Sequence, residues 1–188
     1  MALNFAAGFY CYEREPAEVE RLALEAIDLS TRHNFAAWLA TGGIYRGWAC
    51  SASGDTAQGI PWIEQGLRDY RATGAVLGVP AYLARKAEAL HLAHRTPDAL
   101  EAIDEAEGIA ERFEYRYFSA ELHRLRGVFL TAMGAEETQI EASFCAAINT
   151  AKQQKAVSLE KRAEATYAEY RRQKASEAGG CGVRLPLW

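Results

Sequence analysis

The distribution of apolar and polar residues follows the period of an α-helix along most of the chain. Val19, Leu22 and Ala26, for example, recur at spacings of three and four residues and form one apolar stripe. Pro16 stands just before this stripe, where proline favours the first position of a helix. The pattern predicts helices over residues 2–12, 16–33, 36–52, 56–72, 79–94, 97–113, 116–133, 136–153 and 156–174. Since each connection has only a few residues, successive helices are predicted to be antiparallel.

Residues typical of helix ends recur in register with these helices. Gly54 and Gly134 are predicted to end the first helices of two hairpins, with His94 in the matching place between them. Asp55 is predicted to cap the helix that follows it. Pro61 lies beyond the first turn of that same helix, and we expect it to kink the helix or to delay its start.

Small residues recur in the middle of the helices with a period of forty residues. In every second helix a basic residue precedes the small one, giving Arg46-Gly47, Lys86-Ala87 and Arg126-Gly127. The intervening helices carry a second column at Ala26, Gly66, Ala106 and Ala147. Small residues let helix backbones approach closely, and stacked repeats bury faces that one hairpin leaves open. The sequence therefore predicts an all-α superhelix, a solenoid of antiparallel hairpins over residues 1–174, followed by an irregular tail over 175–188.

Composition and charge narrow the classes of function. The chain has 188 residues, of which 36 are alanine, a composition that disfavours an all-β fold. Its net charge of −4 and the lack of a concentrated basic face argue against binding of nucleic acid. The chain contains no run of 18 apolar residues, so no membrane span is predicted. Its apolar opening segment lacks the basic leader of a signal peptide. These features predict a cytoplasmic protein.

The four cysteines form no metal-ligand motif. Cys11, Cys50 and Cys145 lie within apolar helical runs and are predicted to be buried, reduced thiols. Cys181, in a glycine-rich segment, is the cysteine we expect to be exposed and reactive.

Two sequence runs resemble a known group of repeat proteins. The run Arg46-Gly47-Trp48-Ala49-Cys50, followed by Gly54-Asp55, is similar to the small-residue and aromatic pattern of tetratricopeptide-like (TPR-like) repeats. Together with Ala120-Glu121-Leu122-His123-Arg124-Leu125-Arg126-Gly127, it looks like the C-terminal helical-repeat region of large bacterial proteins. Those proteins are multidomain class III adenylate/guanylate cyclases or signalling ATPases. The resemblance implies a non-catalytic signalling module, and this chain carries neither the paired carboxylates of such a cyclase nor a phosphate-binding loop. No cofactor is expected.

The resemblance also implies where a ligand would bind. In TPR-like arrays one side of each first helix lines a concave groove. Here that side carries a mixture of aromatic and charged residues that suits a polar peptide or a small polar ligand, namely Trp48, Glu88, His91, Glu121 and Arg124. Trp48 could equally be a plain core residue.

Two further patterns have competing interpretations. The basic column of Arg46, Lys86 and Arg126 could face an acidic peptide or a phosphate. We favour ion pairs with acids on the following helix, such as Glu64 or Asp104, since an unpaired buried arginine is costly. The sequence Glu88-Ala89-Leu90-His91, with His94 one turn later, has metal-ligand spacing, but no metal site is predicted from one copy.

These observations predict an interaction or regulatory module that binds a protein or peptide in its groove. One alternative is a repeat domain that senses a small molecule. Another is a homodimer formed through residues 156–174, a helix predicted to lack the cover of a following hairpin. The same helix could instead be the docking site of the tail.

Overall fold

The computed structural model describes residues 1–176 and 185–187, and over these residues it is helical with no strand. The helices are α1 (Ala2–Glu13), α2 (Pro16–Arg32), α3 (Ala36–Ala52), α4 (Thr56–Ala72), α5 (Val79–Leu92), α6 (Thr96–Arg112), α7 (Ser119–Ala132), α8 (Glu137–Gln153) and α9 (Val157–Ser176). A 3₁₀ turn at Arg116–Phe118 leads into α7. The predicted helices are confirmed, with ends that differ by at most three residues. None of the described helices is both long and apolar enough to cross a membrane.

The chain divides into two compact units, Met1–Ala102 and Ile103–Trp188, and the boundary falls within α6. In the N-terminal unit α3 packs on α2 and α4, α5 packs on α3 and α4, and α1 covers α2 and α3. In the C-terminal unit α8 packs on both α7 and α9, and α9 also contacts α7. The sequence predicted one repeat domain over 1–174. Most of the predicted tail, residues 177–184 and 188, lies outside the described residues, and residues 185–187 are irregular.

Glycines of the predicted columns lie where two helices cross. A Cβ on Gly47 of α3 would stand 2.6 Å from the carbonyl oxygen of Gly59 on α4. A Cβ on Gly66 of α4 would stand 2.7 Å from the carbonyl oxygen of Ala40, and one on Gly127 of α7 would meet the ring of Phe144 on α8. These distances are shorter than van der Waals contact, so a side chain at Gly47 or Gly66 would push the neighbouring helix away, and one at Gly127 would displace the Phe144 ring. The predicted tight crossings are confirmed at these positions.

The forty-residue period is also visible in the backbone dihedral angles. Left-handed residues end the first helix of each hairpin at Arg14, Gly54, His94 and Gly134. A second series ends the other helices at Asn34, Gly74, Glu114 and Lys155. A left-handed residue after the last turn stops a helix and reverses the chain. The same turn thus recurs about every twenty residues, which confirms the predicted ends at Gly54, His94 and Gly134.

Pro61 does not delay the start of its helix. Helix α4 begins at Thr56, where the Asp55 carboxylate accepts a hydrogen bond from the backbone N–H of Gln58 at 3.0 Å. The cap satisfies an amide that otherwise has no partner in the first turn, so the helix forms ahead of the proline. That half of the prediction was wrong.

The cysteines differ in burial, contrary to the expectation that three of them would be buried. Cys11 is fully buried in the N-terminal unit, and this burial raises the pKa of its thiol to about 12. Cys50 is partly exposed, and Cys145 is exposed on α8. The apolar residues around Cys145 extend beyond the buried face of α8, so the sequence pattern wrongly predicted that Cys145 is buried. Cys181 lies outside the described residues.

Candidate functional site

A buried cluster of charges lies at the centre of the N-terminal unit, around Glu88 of α5. The Glu88 carboxylate accepts hydrogen bonds from Arg14 at 2.7 Å and from Arg85, one turn earlier on α5, at 2.8 Å. It also accepts one from the indole N–H of Trp48 on α3 at 2.6 Å. Glu88 and Trp48 are 0% and 1% exposed. The cluster therefore joins the end of α1, α3 and α5 through one carboxylate.

The two guanidinium groups keep this buried carboxylate ionised. Burial alone would raise the pKa of Glu88, because a charge is poorly solvated in the interior. The charges of Arg85 and Arg14, with the hydrogen bonds from Arg14 and Trp48, outweigh burial and lower the pKa to about 2. A group whose pKa is lower in the folded state stabilises that state above its ordinary pKa.

We expect this carboxylate to make the N-terminal unit sensitive to acid. Its stabilisation should be complete above the ordinary pKa of 4.5 and should be lost as the pH falls toward 2. A shift of this size corresponds to about 3 kcal/mol. Urea unfolding followed by tryptophan fluorescence between neutral pH and pH 2.5 would measure the loss. The same pH dependence in Glu88→Gln would contradict the assignment.

His91 lies apart from the Glu88 carboxylate, although both belong to the predicted groove and to the candidate metal motif. Its Nδ1 is 3.0 Å from the hydroxyl of Thr96, and burial, followed by the charge of His94, lowers its pKa. His94 is exposed. Among the described residues no three histidine, cysteine or carboxylate side chains converge as a metal site.

A second buried cluster lies in the C-terminal unit, around Arg124 of α7. Its guanidinium group donates to both carboxylate oxygens of Glu121, at 2.8 and 2.9 Å, and to the hydroxyl of Thr166 on α9 at 3.4 Å. Arg124 and Glu121 are 0% and 1% exposed. Arg162 of α9 approaches the same carboxylate at 3.6 Å. The carboxylate thus holds Arg124 in a fixed, desolvated orientation.

The segment 185–187 contacts this cluster through a backbone carbonyl. The carbonyl oxygen of Leu187 accepts a hydrogen bond from Arg124 at 2.8 Å and one from Arg162 at 3.4 Å. Leu187 is 3% exposed, so its side chain is buried with its carbonyl. Of the alternatives for residues 156–174, the structure therefore shows contact with the tail. The homodimer stays a prediction.

Two residues of the basic column, Lys86 and Arg126, are paired with acids on the preceding helix. Lys86 lies 3.1 Å from Glu64 of α4, and Arg126 lies 2.5 Å from Asp104 of α6. The guanidinium of Arg46 instead stacks on the ring of Trp62, on the following helix α4, at 3.9 Å. The preference for pairing is confirmed for Lys86 and Arg126. The predicted direction was wrong for these two residues, because a repeat period does not tell which of two flanking helices a side chain faces.

The predicted groove residues thus fall into separate groups. Trp48 and Glu88 are in contact within the N-terminal unit, and Glu121 and Arg124 are in contact within the C-terminal unit. Sequence reasoning missed five of their partners, Arg14, Arg85, Arg162, Thr166 and Leu187. The three-residue spacing of Arg85 and Glu88 on one helix was a usable signal, whereas Arg14, Arg162 and Leu187 come from other elements. Ligand binding by any of these residues stays a prediction.

Comparisons with known proteins establish the fold class. No protein-family model matches the chain. A stretch of 158 residues, 84% of this chain, is 28% identical to an uncharacterized protein of Rhizobium meliloti (strain 1021), but it covers only 15% of that protein. The crystal structure of Bacillus thuringiensis PlcR in complex with the peptide PapR7 and DNA matches with a TM-score of 0.68 at 16% identity, over 86% of this chain and 67% of PlcR. Because that complex contains DNA, the comparisons do not support the exclusion of nucleic acid, and none of them supports the cyclase context. The chain adopts an all-α, TPR-like helical-repeat fold.

Proposed function

We propose that the chain is a non-catalytic regulatory module that binds an extended peptide segment on its C-terminal unit. The observation that carries this proposal is the segment 185–187 on the Arg124 cluster. There, a backbone carbonyl is held by two guanidinium groups and a leucine side chain is buried beside them. Any extended peptide offers such a carbonyl, and a leucine adds apolar burial.

The cluster suits this task because its donor is positioned before a ligand arrives. Glu121 holds Arg124 with two hydrogen bonds, so little side-chain freedom remains to be lost on binding. A hydrogen bond from a charged donor in a desolvated site is worth about 1.5–3 kcal/mol. A bound peptide would offer its backbone carbonyl as the acceptor, as the carbonyl of Leu187 does in the structure.

The likeness to PlcR agrees with this proposal, since PlcR was solved with a peptide. The Rhizobium relative adds a second inference. This chain covers only a small part of that protein, so we infer that the module works within a larger one. A cyclase or ATPase domain in that larger protein stays a prediction, which the reading frame around the gene would test.

Selection from a random peptide library on the immobilised protein tests the function. We expect binders whose affinity falls about ten- to a hundredfold in Arg124→Ala, the loss expected when a charged hydrogen bond is removed. Arg171→Ala is the matched control, since Arg171 is exposed on α9, and it should bind as the wild type does.

Two further measurements keep this test decisive. Arg162→Ala should weaken the same peptides and keeps the Arg124–Glu121 ion pair, so it tests the site even if Arg124→Ala unfolds. Circular dichroism reports the fold of both variants. Binders that are indifferent to both substitutions, or a selection that yields none, would refute the proposal.

A further inference from the structure

We propose that the segment 185–187 is an intramolecular ligand of this site, which an external peptide must displace, and that the site selects an extended segment with a buried leucine. This inference rests on the proposed function. It specifies the chemistry of the partner and the regulation of the site.

The anchoring contacts are concentrated on Leu187. Its carbonyl accepts from Arg124 and Arg162, and its side chain is buried, whereas Leu185 is only half-buried and Pro186 is exposed. Pro186 also favours an extended conformation, because proline lacks a backbone N–H and disfavours a helical residue before it. Among the described residues of the segment, Leu187 is therefore the anchor.

The charges around the anchor define the competing ligand. The guanidinium groups of Arg124 and Arg162 both lie against the anchor carbonyl, so the site favours a carbonyl oxygen and disfavours a lysine or an arginine beside it. The desolvated surroundings favour an aliphatic side chain next to that carbonyl. A leucine-containing extended peptide without basic residues at the anchor meets both conditions.

A covalently attached ligand competes strongly with a free one. Short tethers give effective concentrations in the millimolar range, so a tethered segment whose own dissociation constant is about a tenth of that value weakens the binding of a free peptide about tenfold. The affinity for an external peptide then depends on how readily Leu187 dissociates from the Arg124 cluster.

Release of the anchor in the full chain tests the inference. The probe is a fluorescein-labelled synthetic peptide with the sequence of residues 183–188, and fluorescence anisotropy measures its binding. Leu187→Lys should raise the affinity about tenfold over the wild type, because an ammonium group cannot be buried beside Arg124 and Arg162, so the anchor is lost. Leu77→Lys is the matched control, since Leu77 is 57% exposed in the N-terminal unit, and its affinity should equal that of the wild type.

The outcomes separate this inference from the proposed function. Equal affinity of the wild type and Leu187→Lys would overturn the intramolecular ligand. The proposed function would still stand if library peptides require Arg124. Loss of the gain when Arg162→Ala is added to Leu187→Lys would place the probe on the site described here, and a gain that survives this addition would overturn the inference. Light scattering tests whether the segment is exchanged between two copies of the chain, since a wild-type dimer that Leu187→Lys dissociates would overturn the intramolecular assignment.

Discussion

Replacement of Gly47 by alanine should lower the free energy of unfolding by about 3 kcal/mol, whereas the same change at Gly43 should raise it by up to about 1 kcal/mol. Both glycines belong to α3. The two substitutions therefore lie in the same helix and make the same change of side chain and of helix propensity. They differ only in the atoms that surround each glycine.

The opposite signs follow from what a Cβ would meet at each position. At Gly47 it would lie 2.6 Å from the carbonyl oxygen of Gly59 and 2.9 Å from the backbone nitrogen of Ile63, so α4 would have to move away. Backbone atoms cannot move aside as the end of a flexible side chain can. Moving α3 and α4 apart would therefore lose packing along the whole crossing. At Gly43 nothing lies within 4 Å, and alanine only restricts the unfolded chain.

Urea unfolding followed by tryptophan fluorescence would measure both changes, since Trp38, Trp48 and Trp62 all report on the N-terminal unit. A loss of less than 1 kcal/mol for Gly47→Ala would show that the crossing is not tight.

Glu88→Gln should lower the free energy of unfolding by about 3–5 kcal/mol, the cost of removing one partner from a buried ion pair. The amide keeps the shape of the side chain but removes the negative charge that the guanidinium groups of Arg14 and Arg85 contact. Trp48 would also lose a charged acceptor for its indole N–H. Glu88 is 0% exposed, so water cannot replace what is lost.

Glu64→Gln is the matched control for this prediction. Glu64 forms a single ion pair with Lys86, and the side chain of Glu64 is 36% exposed. Exposed pairs contribute about 0–1 kcal/mol, so the control should unfold almost as the wild type does. Equal losses in the two variants would show that the Glu88 cluster does not hold α1, α3 and α5 together.

Most of the helices could be predicted from the sequence because their apolar stripes and small residues repeat with fixed periods. The turns were harder to predict, since Arg14 and Glu114 adopt a left-handed conformation that is uncommon for their residue types. At these positions the packing of the flanking helices imposes the conformation, and propensity does not.

The candidate site was predictable only in part, for a related physical reason. Periodicity placed Glu121 and Arg124 on the inner side of α7, and their spacing matches an ion pair within one helix. It could not supply Arg162 or Leu187, because these contacts join distant parts of the chain and belong to no repeat. Nor could periodicity show that Trp48 donates a hydrogen bond to Glu88 and is buried in the N-terminal unit.

The recurrence of one left-handed turn every twenty residues bears on how such a chain can change its length in evolution. A duplication of forty residues returns the backbone to the same turn and the same tight crossing, so a new hairpin meets surfaces already shaped for it. A gain of twenty residues would put a second helix where a first one belongs, and a gain of one residue within a helix would rotate everything beyond it by about 100°. We therefore expect natural relatives to differ by whole hairpins, with smaller changes confined to the turns.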